Sequence, residues 1–179
     1  MIFRSSSVAA LLAILLAGCG KPVPVTPPPV PTPTPVPVNA IPVGAFLPLS
    51  GTQADFGQSA VDGLKLAVSQ INAAGGLVGR PVHLILRDTN SKGSEAAQIV
   101  RQLVTDDKVV ALIGEIASEN SLLAAPVAAE LGIPMISPGS THADVTKAGP
   151  GIFRVCYVDP FQGGVMSKFA SSIGVTRAA

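Results

Sequence analysis

The chain has 179 residues, a formal net charge of +1, 4% aromatic residues and no tryptophan. That is enough for one ordinary domain, with a core built from Val, Ile, Leu and Ala. A charge near zero with no basic run excludes the electrostatic footprint of a nucleic-acid-binding surface.

The first residues read as an export signal. Arg4 supplies a short positive region, Val8 to Leu16 an apolar stretch too short to span a bilayer, and small residues follow. The segment "LAGC", Leu16 to Cys19, resembles the bacterial lipobox, which implies acylation at Cys19 and a membrane-anchored lipoprotein on the periplasmic or extracellular face. Residues 20–39 are a proline-rich linker, reading "KPVPVTPPPVPTPTPVPVN" from Lys21 to Asn39. Proline fixes φ and lacks an amide donor, so this segment is expected to be extended polyproline II. At roughly 3.1 Å per residue it reaches on the order of 50 Å, a tether between membrane and domain.

The folded part begins at residue 40 and alternates two periods. "VGAFLPL" has strand length, and then Val61, Leu64, Val68 and Ile71 fall at helical spacing until "AAGG" ends the helix. "VHLILR" is a second strand, and Ala96, Ile99, Val100, Leu103 and Val104 mark a second helix starting near Gly93 or Ser94. "VVALIG" is a third strand. "SLLAAPVAAEL" is a third helix, with Pro126 predicting a kink or an offset start. "IPMIS" and "GIFRV" complete the strands, and "FQGGVMSKFASSI" is a further helix. Apolar strands separated by helices predict a doubly wound, Rossmann-like α/β fold with a parallel sheet covered on both faces.

Ligands of such sheets bind beyond the carboxyl ends of the strands, so the loops there carry the functional information. They read "PLSGTQADFGQSA", "DTNSKGS", "GEIASENS" and "SPGSTHAD", rich in Ser, Thr, Asn and Gly and poor in cations. Hydroxyls and orphan amides at helix N-termini suit a carboxylate or another small anion. The plainer reading of each Ser or Thr is a helix N-cap.

Catalytic and cofactor signals are missing. There is no phosphate-binding G-x-x-x-x-G-K-[ST] loop, and the glycines at Gly75 to Gly79 follow a helix and precede a strand, the reverse of the dinucleotide fingerprint. No metal-ligand spacing and no G-x-S-x-G elbow occur, and the aspartates are scattered. Cys156, between Val155 and Tyr157, reads as packing in an apolar strand; neither His83 nor His142 is spaced as its base. The expectation is no enzyme, no metal and no cofactor.

Several stretches together resemble the type I periplasmic binding proteins for branched-chain amino acids. They are "VGAFLPLSGTQADFGQSAVDGLKLAVSQINAAGGLVGRPVHLILRDTNS", "ALIGEIASENSLLAAPVAAELGIPMISPGSTHADVT" and "FRVCYVDPFQG". The resemblance implies an ABC-transporter substrate-binding protein that hands a small amino acid-like solute to a permease. It implies that Ser118 holds the solute's α-carboxylate and ammonium, with backbone groups and a hydroxyl at Gly139, Ser140 and Thr141. It places Phe56 at the pocket wall, a position where a staple beneath its own loop is the other reading. His142 matches no ligand position and is expected at the surface. The family has two lobes joined by crossing strands. Residues 40–155 are then expected to be the first lobe, and 156–179 the crossing and first helix of a truncated second. That organisation predicts weak solute binding by this chain alone. Binding of amides, urea or short peptides, or a sensory ectodomain of the same fold, are the other readings.

Overall fold

The computed structural model describes residues 37–177. The export signal, Cys19 and most of the proline-rich segment lie outside the described residues. Five strands form one parallel sheet: β1 (Ile41–Leu47), β2 (Val82–Asp88), β3 (Ala111–Gly114), β4 (Met135–Ser137) and β5 (Ile152–Arg154). Their spatial order is β2-β1-β3-β4-β5. Between them run α1 (Ala54–Ala73), α2 (Gly93–Thr105) and α3 (Ser118–Glu130). A 3-10 segment spans Ala143–Ala148, and α4 covers Asp159–Ser172.

The central strand β1 is apolar throughout, and its last four residues are buried on both sides of the sheet. Along β1, Phe46 joins the core beneath α2 and α3, while Ala45 and Leu47 join the core beneath α1. This is the two-residue alternation of a pleated strand. The larger core draws Val100 and Leu103 from α2 and Ala124, Ala125 and Ala128 from α3. The small alanines of α3 let these two helices pack closely. Helix α3 begins at Ser118, earlier than its apolar run, and continues through Pro126, whose ring is exposed.

Cover on the other face is narrower than expected for a sheet wrapped on both sides. Helix α1 contacts β1 and β2. Over β3, β4 and β5 an open apolar groove of about 280 Å³ remains, lined by Ala111, Ile113, Ile136 and Phe153 among others. The reason is geometric: α1 is the one helix on that side among the described residues, and its connection joins β1 to the outer strand β2.

Two short-range devices fix the α1–β2 connection. The Asn72 side chain donates to the Val82 carbonyl at 2.9 Å and accepts from the Val82 amide at 2.7 Å, pinning the end of α1 to the start of β2. Between them Leu77 and Arg80 pair in both directions across a two-residue turn. Its central residues, Val78 and Gly79, have φ of 52° and 71°.

The direction in which successive strands are added to the sheet reverses at β1. From β1 the chain steps outward to β2, then crosses back over β1 to reach β3, β4 and β5 in turn. The loops leaving β1 and β3 therefore diverge, and the crevice between them is the topological switch point where open α/β sheets gather ligands.

Candidate functional site

The β1 side of the crevice is braced from β2. Asp88 Oδ1 accepts from the amides of Leu49 (2.8 Å), Ser50 (3.2 Å) and Asn90 (2.8 Å). Burial by itself raises the Asp88 pKa. The Asn90 amide, the nearby Ser50 hydroxyl and the Leu49 and Ser50 amides together outweigh it, and the group stays below the usual carboxylate range. Ser91 adds a second brace, donating to the Ser50 carbonyl at 2.7 Å and accepting from the Gln53 amide at 3.2 Å. Gly57, in the first turn of α1, lets the helix sit against the end of β1: a Cβ there would lie 1.9 Å from the Pro48 carbonyl oxygen. Phe56 rides on this turn and is 68% exposed. Its ring is therefore not a staple beneath the loop, and it stands free on the β1 side of the crevice.

The β3 side carries Ser118 as the first residue of α3. Its hydroxyl oxygen accepts from the His142 amide at 3.2 Å, which joins the loops after β3 and β4. That contact occupies one lone pair and leaves the Ser118 proton free to donate. The first amides of α3 have no intrahelical acceptors. A donating hydroxyl beside a helix N-terminus is a chemistry suited to a carboxylate.

The loop after β4 brings its backbone to the same place. A Cβ on Gly139 would meet the Ile116 carbonyl oxygen at 3.3 Å, so the two loops are in near contact. The Thr141 carbonyl accepts from the Asp159 amide at 3.1 Å, tying the loop to the start of α4. Ser140 is fully buried, and its hydroxyl lies 2.7 Å from that of Ser121 and 3.0 Å from the Glu115 carbonyl. The Ser140 side chain thus faces the interior, whereas Thr141 is half-exposed. His142 is exposed, as expected, and its ring accepts from the Asp144 amide as the cap of the 3-10 segment. The loops that carry Ser118 and Gly139–Thr141 are brought together; Phe56 lies on the first turn of α1, after β1.

The helix-cap reading of these hydroxyls does not describe what they do. None of α1, α2, α3 and α4 has a side-chain cap hydrogen bond. Ser50 and Ser91 cross between loops, and Ser121, Ser137 and Ser140 go to the interior.

Two charged residues at this end of the sheet escaped the sequence reading. Arg154, on β5, donates to the carbonyls of Ser140 (2.8 Å), His142 (2.7 Å) and Ala143 (2.9 Å) and to the Thr146 hydroxyl (2.9 Å). It clamps the whole Ser140–Thr146 loop. Glu115 is fully buried at the end of β3. The signal available for both was a charged residue inside or at the end of an otherwise apolar strand. Cys156 lies just past β5, half-buried, as a free thiol. Among the described residues no group of His, Cys, Asp and Glu is arranged to hold a metal ion, and no helix is long and apolar enough to cross a membrane.

With this geometry in place, the similarities of the chain take on meaning. The sequence profile of the family described as "Periplasmic binding protein" matches residues 40–179. An amino acid binding protein of Pseudomonas aeruginosa is 35% identical over 132 residues, covering 73% of this chain and 35% of the relative. The Leu/Ile/Val-binding protein homolog 2 of Brucella abortus is 34% identical over 130 residues, covering 72% and 35%. Among solved structures, the branched-chain amino acid transporter substrate binding protein LivJ from Streptococcus pneumoniae, in complex with isoleucine, superimposes with a TM-score of 0.71. It is 36% identical, and the match covers 74% of this chain and 38% of that one. The chain spans about a third of the length of the curated relatives it matches.

Proposed function

The chain belongs to the periplasmic binding protein family, and on that premise we propose that it is the substrate-binding lipoprotein of an ABC transporter, capturing a small amino acid of the branched-chain class for import. The observation that carries this reading is the Ser118–His142 contact. It sets a donating hydroxyl at the N-terminus of α3 beside the backbone of Gly139–Thr141, at the switch point of the sheet. Relatives with this fold are named for leucine, isoleucine and valine, and one holds isoleucine.

In this reading Ser118 donates to the solute's carboxylate, and the free amides of α3 supply partial positive charge without a full cation. Backbone groups at Gly139 and Ser140 and the Thr141 hydroxyl complete the grip on the polar end. Phe56 covers the aliphatic side chain. Residues 40–155 serve as one lobe of the site, and 156–179 as the crossing into a second. Cys19 carries the lipid anchor, residues 20–39 are the tether, and the permease docks outside the membrane.

Titration of the isotopically labelled chain with L-leucine, followed by amide NMR, tests the proposal. The amides of Ser118, Thr141 and Phe56 are expected to shift saturably with leucine at up to millimolar concentrations and to ignore acetamide and urea. Equal response to acetamide, or shifts confined to other loops, refutes it.

A further inference from the structure

Glu115 has a fully buried side chain with no cationic partner among its hydrogen bonds. A buried carboxylate without a counter-charge is costly unless its oxygens are satisfied. Here Oε1 accepts from the Thr89 hydroxyl at 2.6 Å, and Oε2 from the Ala117 amide at 2.7 Å. The first contact reaches back to the end of β2; the second holds the residue directly before Ser118. The main chain of Glu115 is equally committed. Its carbonyl oxygen lies 2.6 Å from the Ser137 hydroxyl, 3.0 Å from that of Ser121 and 3.0 Å from that of Ser140. A carbonyl has two lone pairs, so Ser137 and Ser121 fill them and Ser140 donates onward to Ser121. Ser137 in turn accepts from the Ser140 amide at 3.0 Å.

We infer that Glu115 is a positioning residue for the solute site. Its carboxylate sets the Ala117–Ser118 backbone, its carbonyl sets the loop that carries Gly139–Thr141, and the two are thereby held at the spacing of the Ser118–His142 contact. This inference rests on the amino acid-binding reading of that site. The side chain itself touches no solute, being wholly enclosed. Glutamine is the conservative test, because its carbonyl oxygen can accept from the fixed Ala117 amide while the rotatable Thr89 hydroxyl turns to accept from its NH₂ group. Alanine leaves the Ala117 amide buried without a partner.

The experiment compares the unmodified chain with Glu115→Ala, Glu115→Gln, Thr89→Val and a core control, Val100→Ala. Each is titrated with L-leucine by amide NMR and followed by hydrogen exchange. Glu115→Ala is expected to weaken leucine binding at least about tenfold, the scale of one orphaned buried donor. Glu115→Gln is expected to stay within about threefold of the unmodified chain, and Val100→Ala, which only lowers stability, within about twofold. Loss below tenfold in Glu115→Ala, failure of Glu115→Gln to restore binding, or an equal loss in Val100→Ala overturns the inference. If Glu115→Ala does not fold, Thr89→Val decides: it removes one of the two carboxylate partners, and affinity equal to the unmodified chain is the overturning result. If the unmodified chain shows no leucine response, the amino acid-binding reading fails by itself and exchange decides the positioning role. Glu115→Ala must then deprotect the Ala117 and His142 amides while sparing Leu112 in the sheet; unchanged protection at Ala117 and His142 overturns it.

Discussion

Two glycines in one helix should respond to the same substitution with opposite signs. Both Gly57 and Gly63 lie in α1, and replacing a helical glycine by alanine gains about 1 kcal/mol from backbone entropy alone. At Gly63 a Cβ meets nothing within 4 Å, so Gly63→Ala should keep most of that gain. At Gly57 the same Cβ would lie 1.9 Å from the Pro48 carbonyl oxygen and 2.6 Å from its carbon. Unbonded carbon and oxygen approach to roughly 3.3 Å, so the helix or the strand end must retreat by more than about 1 Å. The obstacle is backbone at the end of a buried strand and cannot swing aside like a side chain. Retreat also loosens Val61 against Ala45 and Leu47, the core beneath α1. Overpacking costs about 1–3 kcal/mol, and an immovable backbone obstacle puts this case in the upper part of that range, about 2–3 kcal/mol, which exceeds the helix gain. Gly57→Ala should therefore destabilise by about 1–2 kcal/mol and Gly63→Ala stabilise by about 0.5–1 kcal/mol. Urea unfolding followed by circular dichroism measures both. With a slope of about 1–3 kcal/mol/M, midpoints separated by about 0.5–3 M are expected. A Gly57→Ala chain as stable as the unmodified one would refute the close-approach argument, because helix propensity would then be the governing effect.

Three other perturbations follow from the same contacts. Val78 is 97% exposed and held at a φ of 52°, where a β-branched residue is strained. Val78→Asn suits the turn and should raise stability by about 0.5–1 kcal/mol in thermal unfolding; no gain would mean the turn has another geometry in solution. Asp88 has a lowered folded-state pKa because burial, which raises it, is outweighed by the Asn90, Leu49 and Ser50 amides and the Ser50 hydroxyl. Its contribution is complete above the unfolded pKa of about 3.9 and disappears as pH falls through the lower folded value. Asp88→Asn should cost about 1 kcal/mol at pH 7, a modest figure for a half-exposed group, and should flatten the acid limb of a stability–pH profile. An unchanged acid limb would contradict this. Arg154→Ala removes four hydrogen bonds from the loop after β4 and should cost about 1–3 kcal/mol while deprotecting the amides of residues 142–146. Arg154→Lys should recover little, because an ammonium lacks the planar fork; full recovery by lysine would show that charge alone suffices.

By itself the sequence determined the order of elements and the class of sheet. Mostly apolar strands and helices of 3.6-residue period are local patterns, and the five strands and four helices of the described residues lie where those patterns put them, to within a few residues. It also marked the strand ends as the polar end of the molecule and brought Ser118 and Gly139–Thr141 forward together. Only the tertiary structure decided what each hydroxyl does. The hydroxyls of Ser137 and Ser140 lie against the Glu115 carbonyl, 22 and 25 positions earlier in the chain, and Thr89 meets Glu115 across 26 positions. No periodicity encodes such pairings. Ser118 and Ser140 look alike as residues after a strand, yet one is half-exposed and accepts from the His142 amide while the other is enclosed. The difference lies in what the fold packs against each: Ser121 and the Glu115 carbonyl enclose Ser140, whereas Ser118 meets the His142 amide from the neighbouring loop. The same packing turned Glu115, an unremarked acid in a loop motif, into the group on which those loops converge.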